Sequence, residues 1–221
     1  MATIRDYQIR VNSLNILPVS LVVDGQNGPN TRRGIALAMN FLGVQDQDEI
    51  LDNSGLYRIH WHWTASTYMV TPKMLSHYNA VFDINGKYYP SVDPTEQARY
   101  SHINDVGVSH TRMANTHAIG LAVAACGLRK ANWHNNTVTI GKYPMSWKQI
   151  DAMLKRTAYY CKKFDIRVSK WTTLTHAEIQ PTLGIKQNGK WDIRCFPDDK
   201  RLWGAVEAGD YLRKRMVEKF L

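Results

Sequence analysis

Eight histidines stand at positions 60, 62, 77, 102, 110, 117, 134 and 176. Imidazole is a common zinc ligand, and a zinc hydrolase site takes three protein ligands, typically two His with a carboxylate or Cys, leaving one position for water. His60 and His62 are two apart, the spacing that sets both on one face of a strand, and His176 closes a later apolar segment. Asp192 and Cys195 follow, and either completes such a set. Cys195 with His176 offers a second chemistry, a nucleophile and its base, but no orienting group or oxyanion motif is legible around them. Taken singly, each histidine is better explained as a structural or surface residue.

The elements that must position these groups are legible from patterning. LYRIHWHWTAS reads as a buried strand, AVFDINGKYYPSV as a hairpin turning at Asn85-Gly86, and HAIGLAVAACG as a central strand. TPKMLSHYN is a short helix or loop. Ser146 caps a predicted helix in which Ile150, Met153, Leu154, Ala158 and Cys161 follow helical spacing. WTTLTHAEI reads as a short strand ending in His176, LGIKQNGKWDI as a loop, and AVEAGDYLRKRMVEKFL as a basic amphipathic helix. Alternating strands and helices predict an α/β (α+β) fold with a central mixed β-sheet flanked by helices. Ahead of it, YQIRVNSLNIL reads as a helix, followed by a Gly/Asn/Pro turn and a second helix with Pro29 in its first turn and Asn27 or Asn30 as cap. The acidic stretch QDQDEILDNSG places a boundary near Asp52, dividing the chain into a small helical subdomain, 1–52, and a larger domain, 53–221.

Composition narrows the partners. The 221 residues are 44% hydrophobic and 21% charged, which excludes disorder and collagen-like structure. No run of about 18 apolar residues is present, so no transmembrane helix is predicted. Three cysteines at wide spacing make no disulfide framework. Arg5, Asp6 and Arg10 interrupt the N-terminus before any apolar stretch, which argues against a signal peptide and for synthesis in the cytoplasm. A net charge of +9 suggests a polyanion: nucleic acid, anionic lipid or an acidic wall polymer. No nucleic-acid recognition signature accompanies the basic residues, so no nucleic-acid partner is expected.

Five short motifs then fall in one order. His62-Trp63-Thr64-Ala65-Ser66 resembles the His-x-(Ser/Thr)-Ala strand of the zinc-dependent N-acetylmuramoyl-L-alanine amidases, a family that includes short phage endolysins, wall-recycling amidases and peptidoglycan recognition proteins. Tyr78 to Gly86 resembles the family's hairpin, Ser101-His102 its Ser/Trp-His-Ala segment, and Asn115 to Leu121 its Asn-x-x-Ser-Ile-Gly-Ile strand. Thr175-His176-Ala177-Glu178, followed by Lys190-Trp191-Asp192, resembles its His-x-Glu and Lys-x-(Asp/Cys) segments. The resemblance implies that His62, His176 and Asp192 hold zinc, with Asp192 preferred to Cys195 because it lies two residues after Lys190. It implies Tyr78 and Lys190 as the catalytic pair and Thr64, His102 and Asn115 as substrate-binding residues. His60 reads as a core residue beside the site. Ala122 stands where many members carry Glu, so the Tyr/Lys arrangement is the one implied. Val23 to Arg32 resembles the Val-Asp-Gly-x-x-Gly-x-x-Thr-(Arg/Lys) signature of small helical peptidoglycan-binding domains, with Asp24, Gly25, Gly28 and Thr31 at its fixed positions. The competing account of that segment is a helical cap packed on the larger domain.

The activity implied is that of a phage-type endolysin, in which zinc-activated water cleaves the amide between N-acetylmuramic acid and L-alanine. The implied partner is peptidoglycan, with an anionic outer-membrane surface second, for a monomer released to the periplasmic wall by a separate lysis protein. The alternative is a non-catalytic peptidoglycan recognition protein; such relatives typically lose a metal ligand, whereas Asp192 is present with Lys190 beside it. Trp61, Trp63 and Trp147 read as packing residues, and Trp133, in the polar stretch KANWHNNT, as a residue that can line a groove.

Overall fold

The computed structural model describes residues 3–51, 55–95, 108–126, 129–197 and 199–221. Strand β1 (Arg58–Trp63) alternates histidine with large apolar residues, and all of it is buried. A strand buried on both faces belongs inside a sheet. β1 accordingly runs parallel to β4 (Ala118–Val123) on one side and to β7 (Thr173–Thr175) on the other. β2 (Ala80–Phe82) lies parallel beyond β4, and β3 (Tyr88–Pro90) pairs antiparallel with β2 as the edge, giving the order β3-β2-β4-β1-β7. The fold is the mixed α/β sheet that the sequence predicts. At the β2–β3 turn Gly86 has a φ of 75°, a left-handed conformation that glycine adopts freely.

The pleat sorts the chemistry. Ile59, Trp61, Ile119 and Leu121 join the main apolar core with Ile150, Met153 and Leu154 of α4 (Trp147–Lys163) and Leu212 and Met216 of the C-terminal α6 (Ala205–Phe220). Trp61 donates its indole N–H to Thr157 Oγ1 of α4 at 2.9 Å, so the largest core side chain is also satisfied. α4 begins at Ser146 with a reciprocal cap: Gln149 N–H donates to Ser146 Oγ at 3.2 Å and Ser146 N–H to Gln149 Oε1 at 3.0 Å. The alternate residues of β1, His60 and His62, face the other way and pair in register with Gly120 and Ala122 of β4.

One element differs from expectation at the place that matters. The apolar run does not carry His176 in a strand; β7 ends at Thr175, and His176 opens helix α5 (His176–Leu183). The reason is local: Glu178 accepts from the Thr175 N–H at 2.8 Å, the N-terminal signature of a helix, which outweighs the β-branched run before it. Glu178 is itself buried and paired with Arg213 of α6. A separate hairpin of β5 (Lys130–Asn132) and β6 (Thr137–Thr139) carries Trp133 in its turn.

The N-terminal helices also shift. α1 spans Ile4–Ser13, three residues earlier than the YQIRVNSLNIL reading, because Thr3 and Asp6 form its capping box. α2 (Pro29–Leu42) is capped by Gly28 instead of Asn27 or Asn30, with Pro29 in the first turn as expected, and a single turn, α3 (Pro72–Leu75), follows β1. Tyr7, Val11, Leu14, Leu21, Ile35, Ala38 and Ile50 form their own apolar cluster. Ile9, on another face of α1, packs with Trp171, Leu174, Ile179 and Leu183, so α1 is shared between two cores. Arg5 donates to Gly184 O at 2.7 Å and Trp171 Nε1 to Ser20 Oγ at 3.0 Å across the same junction. The expected boundary at Asp52 falls outside the described residues. Among the described residues no helix is long and apolar enough to cross a membrane.

Candidate metal centre

Three elements bring His62, His176 and Asp192 together: the end of β1, the first residue of α5, and the loop that follows α5. The loop is held by Ala177 N–H, a free donor of the first helical turn, which bonds Asp192 O at 2.7 Å. His62 Nδ1 lies 3.1 Å from His176 Nδ1 and 3.1 Å from Asp192 Oδ2, and His176 Nδ1 lies 3.2 Å from the same oxygen. Ligands about 2.0–2.1 Å from a tetrahedral zinc are roughly 3.3–3.4 Å apart, so the triangle already has the size of one tetrahedral face. All three residues are buried.

The outer edges of the rings decide what the inner edges offer. His176 Nε2 lies 3.0 Å from Gln187 Oε1. His62 Nε2 lies 3.3 Å from Thr111 Oγ1 and 3.3 Å from His110 Nδ1. With protons on the two Nε2 atoms, both Nδ1 lone pairs and the carboxylate face one another, and this donor set can hold a divalent metal ion. Burial, opposed by Asp192, lowers the His62 pKa to about 4, so the ring is neutral at neutral pH. Burial alone would raise the Asp192 pKa, but a ring proton or positive charge offered by His176 and His62 outweighs it and holds the carboxyl below its usual range, as a metal ion in that place would. A neutral imidazole and an ionised carboxylate are the forms that bind metal.

The other expected site residues fall around this triangle in different ways. The Tyr78 ring lies 5.2 Å from that of His62, and its hydroxyl donates to Trp63 O at 3.5 Å. Burial, reinforced by Asp192, pushes its pKa up, so Tyr78 is a neutral phenol. Lys190 is exposed, and its charge adds to the forces keeping His62 unprotonated. Thr64 is half-buried and accepts from Ala125 N–H at 3.3 Å. Asn115 turns its carboxamide oxygen onto the backbone N–H groups of His110, at 3.1 Å, and Thr111, at 2.7 Å. His102 lies outside the described residues. Cys195 stands apart from the triangle, with its sulfur accepting from Arg129 Nη1 at 2.6 Å and Cys126 beside it.

Three neighbours of the triangle were not singled out from sequence: His110, Thr111 and Gln187. His110 packs edge-on against both His60 and His62, with ring centroids 5.4 and 5.2 Å away. A Cβ at Gly120 would overlap the His110 ring, so the glycine opposite His60 makes its space. His60, also buried, bonds Thr111 Oγ1 through Nδ1 at 3.1 Å, consistent with a core position beside the site. The signal for His110 was a further Ser-His pair, Ser109-His110, eight residues after Ser101-His102.

The N-terminal signature residues form a closed network. Gln8 Nε2 donates to Asp24 Oδ1 at 2.8 Å and to Thr31 Oγ1 at 3.1 Å, while Gly25 N–H donates to Gln8 Oε1 at 2.8 Å. Thr31 donates to Gln26 O at 3.0 Å, and Gly28 caps α2. Trp133 is 54% exposed, 6.3 Å from the Trp191 ring and under the Arg194 guanidinium at 5.1 Å, whereas Trp61 and Trp63 are buried and Trp147 packs on Phe196.

Neither any protein-family model nor any curated protein matches the sequence. Among solved structures, the chain is similar to the N-acetylmuramoyl-L-alanine amidase LysC from Clostridium intestinale, with 16% identity over 61% of this chain and 89% of that one and a TM-score of 0.36. It is similar to the endolysin of Thermus scotoductus bacteriophage Ph2119, with 14% identity over 58% and 75% of the two chains and a TM-score of 0.38. It is also similar to the Drosophila peptidoglycan recognition protein SD, with 16% identity over 68% and 84% of the two chains and a TM-score of 0.38.

Proposed function

We propose that this chain is a zinc-dependent N-acetylmuramoyl-L-alanine amidase of the phage endolysin type. The observation that carries the reading is the triangle of His62 Nδ1, His176 Nδ1 and Asp192 Oδ2, with edges of 3.1–3.2 Å. Its agreement with the ordered motifs of the sequence names the substrate. When bound, zinc supplies Lewis acidity that activates water and polarises the scissile carbonyl. Tyr78, kept as a neutral phenol, is a hydrogen-bond donor that positions the substrate oxygen or the water. Lys190, cationic at the open side, stabilises the negative charge that develops on the carbonyl oxygen. Ala122 beside His62 offers no carboxylate for base chemistry, which leaves this work to the Tyr/Lys pair.

In this reading residues 53–221 are the catalytic domain and 1–52 a helical subdomain turned toward the wall. A groove of about 510 Å³ on the latter, lined by Val19, Val22, Asp24, Asn30, Arg33 and Leu37, is the surface offered. The protein acts as a monomer on peptidoglycan, made in the host cytoplasm and released to the periplasmic wall, with basic charge favouring the anionic envelope.

The test is mass spectrometry of products from purified peptidoglycan incubated with the zinc-loaded protein. Free stem peptides headed by L-alanine are expected. Reducing-end glycan fragments would point to a glycosidase instead. Peptidoglycan retained intact on a zinc-loaded protein would make the chain a recognition protein.

A further inference from the structure

The outward nitrogens of the two imidazoles are held by Gln187 and Thr111, and the Gln187 amide reaches the residue next to Thr111. Gln187 is 3% exposed, although it lies in the loop after α5. Its side-chain N–H donates to Arg112 O at 2.8 Å, and its backbone N–H donates to Gln180 Oε1 at 3.0 Å. An amide that donates from its nitrogen to Arg112 presents its oxygen to His176, so the 3.0 Å contact there requires the imidazole to donate. A neutral histidine donating from Nε2 keeps its lone pair on Nδ1, the atom that faces His62 and Asp192. Next to Arg112, Thr111 holds His62 Nε2, and Asn115 pins the turn through the His110 and Thr111 N–H groups.

We infer that Gln187 is a positioning residue of the metal centre: it fixes His176 as the Nε2–H tautomer and ties that ring, through Arg112, to the turn that holds His62. The inference rests on the metal-binding reading of the triangle. Without the Gln187 acceptor, a neutral His176 can carry its proton on Nδ1, aimed at Asp192, where it competes with a metal ion. Losing an outer partner of this kind typically costs about 10- to 100-fold in metal affinity.

The experiment compares wild type, Gln187→Leu and Gln187→Glu for zinc affinity, by competition with a chromophoric chelator, and for the His176 tautomer of the metal-free protein, by long-range proton–nitrogen NMR. Gln187→Leu is expected to bind zinc about 10- to 100-fold more weakly and to show His176 as a tautomer mixture. Gln187→Glu retains an acceptor for Nε2–H but loses the amide donor to Arg112 O, so a single His176 tautomer is expected, with a zinc affinity between those of wild type and Gln187→Leu. Wild-type affinity with an unchanged tautomer in Gln187→Leu overturns the inference. So does a Gln187→Glu protein that has a mixed His176 tautomer, a result that stands even if the leucine variant does not fold. Failure of the metal reading looks different: the wild type itself then takes up no zinc.

Discussion

Two polar clusters in this molecule came from motifs of similar strength, and they are built on opposite principles. Around Gln8, Asp24 and Thr31, donors meet acceptors: the glutamine amide nitrogen gives to Asp24, Gln26 O and Thr31, its oxygen receives from Gly25 N–H, and the threonine hydroxyl does both. Around His62, His176 and Asp192, two ring nitrogens and a carboxylate oxygen converge within 3.2 Å, and they become three acceptors when both rings carry their protons on the outer nitrogens. A network closed by its own donors stabilises the fold. One closed only by an added electrophile is organised for a ligand, and the contrast suggests that unmet valence, more than motif strength, separates a site from a structural loop.

The largest expected effects break the open cluster. His62→Ala or Asp192→Ala removes a donor, so the purified variants should retain no zinc after dialysis and release no stem peptides. Metal content of one ion per chain in either variant would remove the basis for treating the cluster as a site. Second in size is a closed buried network on the same helix as His176. Arg213 donates to Glu178 Oε1 at 2.7 Å and to Thr173 O at 2.6 Å, so Arg213→Ala leaves Glu178 buried without its partner. A loss of roughly 3–5 kcal/mol in urea unfolding is expected. A variant as stable as wild type would show that α6 does not depend on this pair.

Gln8→Ala tests the N-terminal cluster. It removes the acceptor of the Gly25 N–H and a donor to the Asp24 and Thr31 oxygens, while Asp24 keeps its bond from the Gln26 N–H, at an expected cost of about 1–3 kcal/mol in the same assay, with zinc content unchanged. Undiminished stability with lost retention on peptidoglycan would reverse the comparison and make the loop a ligand site.

What the sequence could convey follows from how local each signal is. The β1 and β4 strands and the Ser146 cap are encoded within a few residues, and they were legible. So was the convergence of His62 with His176 and Asp192, because a known motif order stands in for the missing distances. His176 as a helix start was not, since Thr173 and Thr175 favour a strand and the deciding contact is the Glu178 side chain three residues on. His110 stayed hidden because Ser-His occurs three times, at Ser76-His77, Ser101-His102 and Ser109-His110, and only Gly120, across the sheet, marks the pair whose ring needs room. Gln187 carries no ligand chemistry of its own. Its place is set by Arg112, 75 residues away in the chain, and no local pattern encodes that contact.

A third network gives the comparison its lower bound. At the surface, Asp151 accepts from Arg215 at 2.6 and 2.9 Å and from Lys219 at 2.7 Å. Partial burial would raise its pKa, but the two cations outweigh it and hold the carboxyl below the usual range. A depressed folded-state pKa contributes stability that is present above the unfolded value, about 3.9, and is lost as pH falls through the folded one. These side chains are 21–43% exposed, so solvent screens the pair and the contribution is at most about 1 kcal/mol. Asp151→Asn should therefore lie within about 1 kcal/mol of wild type at pH 7, and the two curves should converge as the pH falls below the unfolded value of about 3.9. A gap that persists into acid would place the effect of Asp151 in packing instead of charge. Such a result would also show that a closed polar network in this fold can matter for shape alone, which is the role the comparison assigns to the cluster around Gln8.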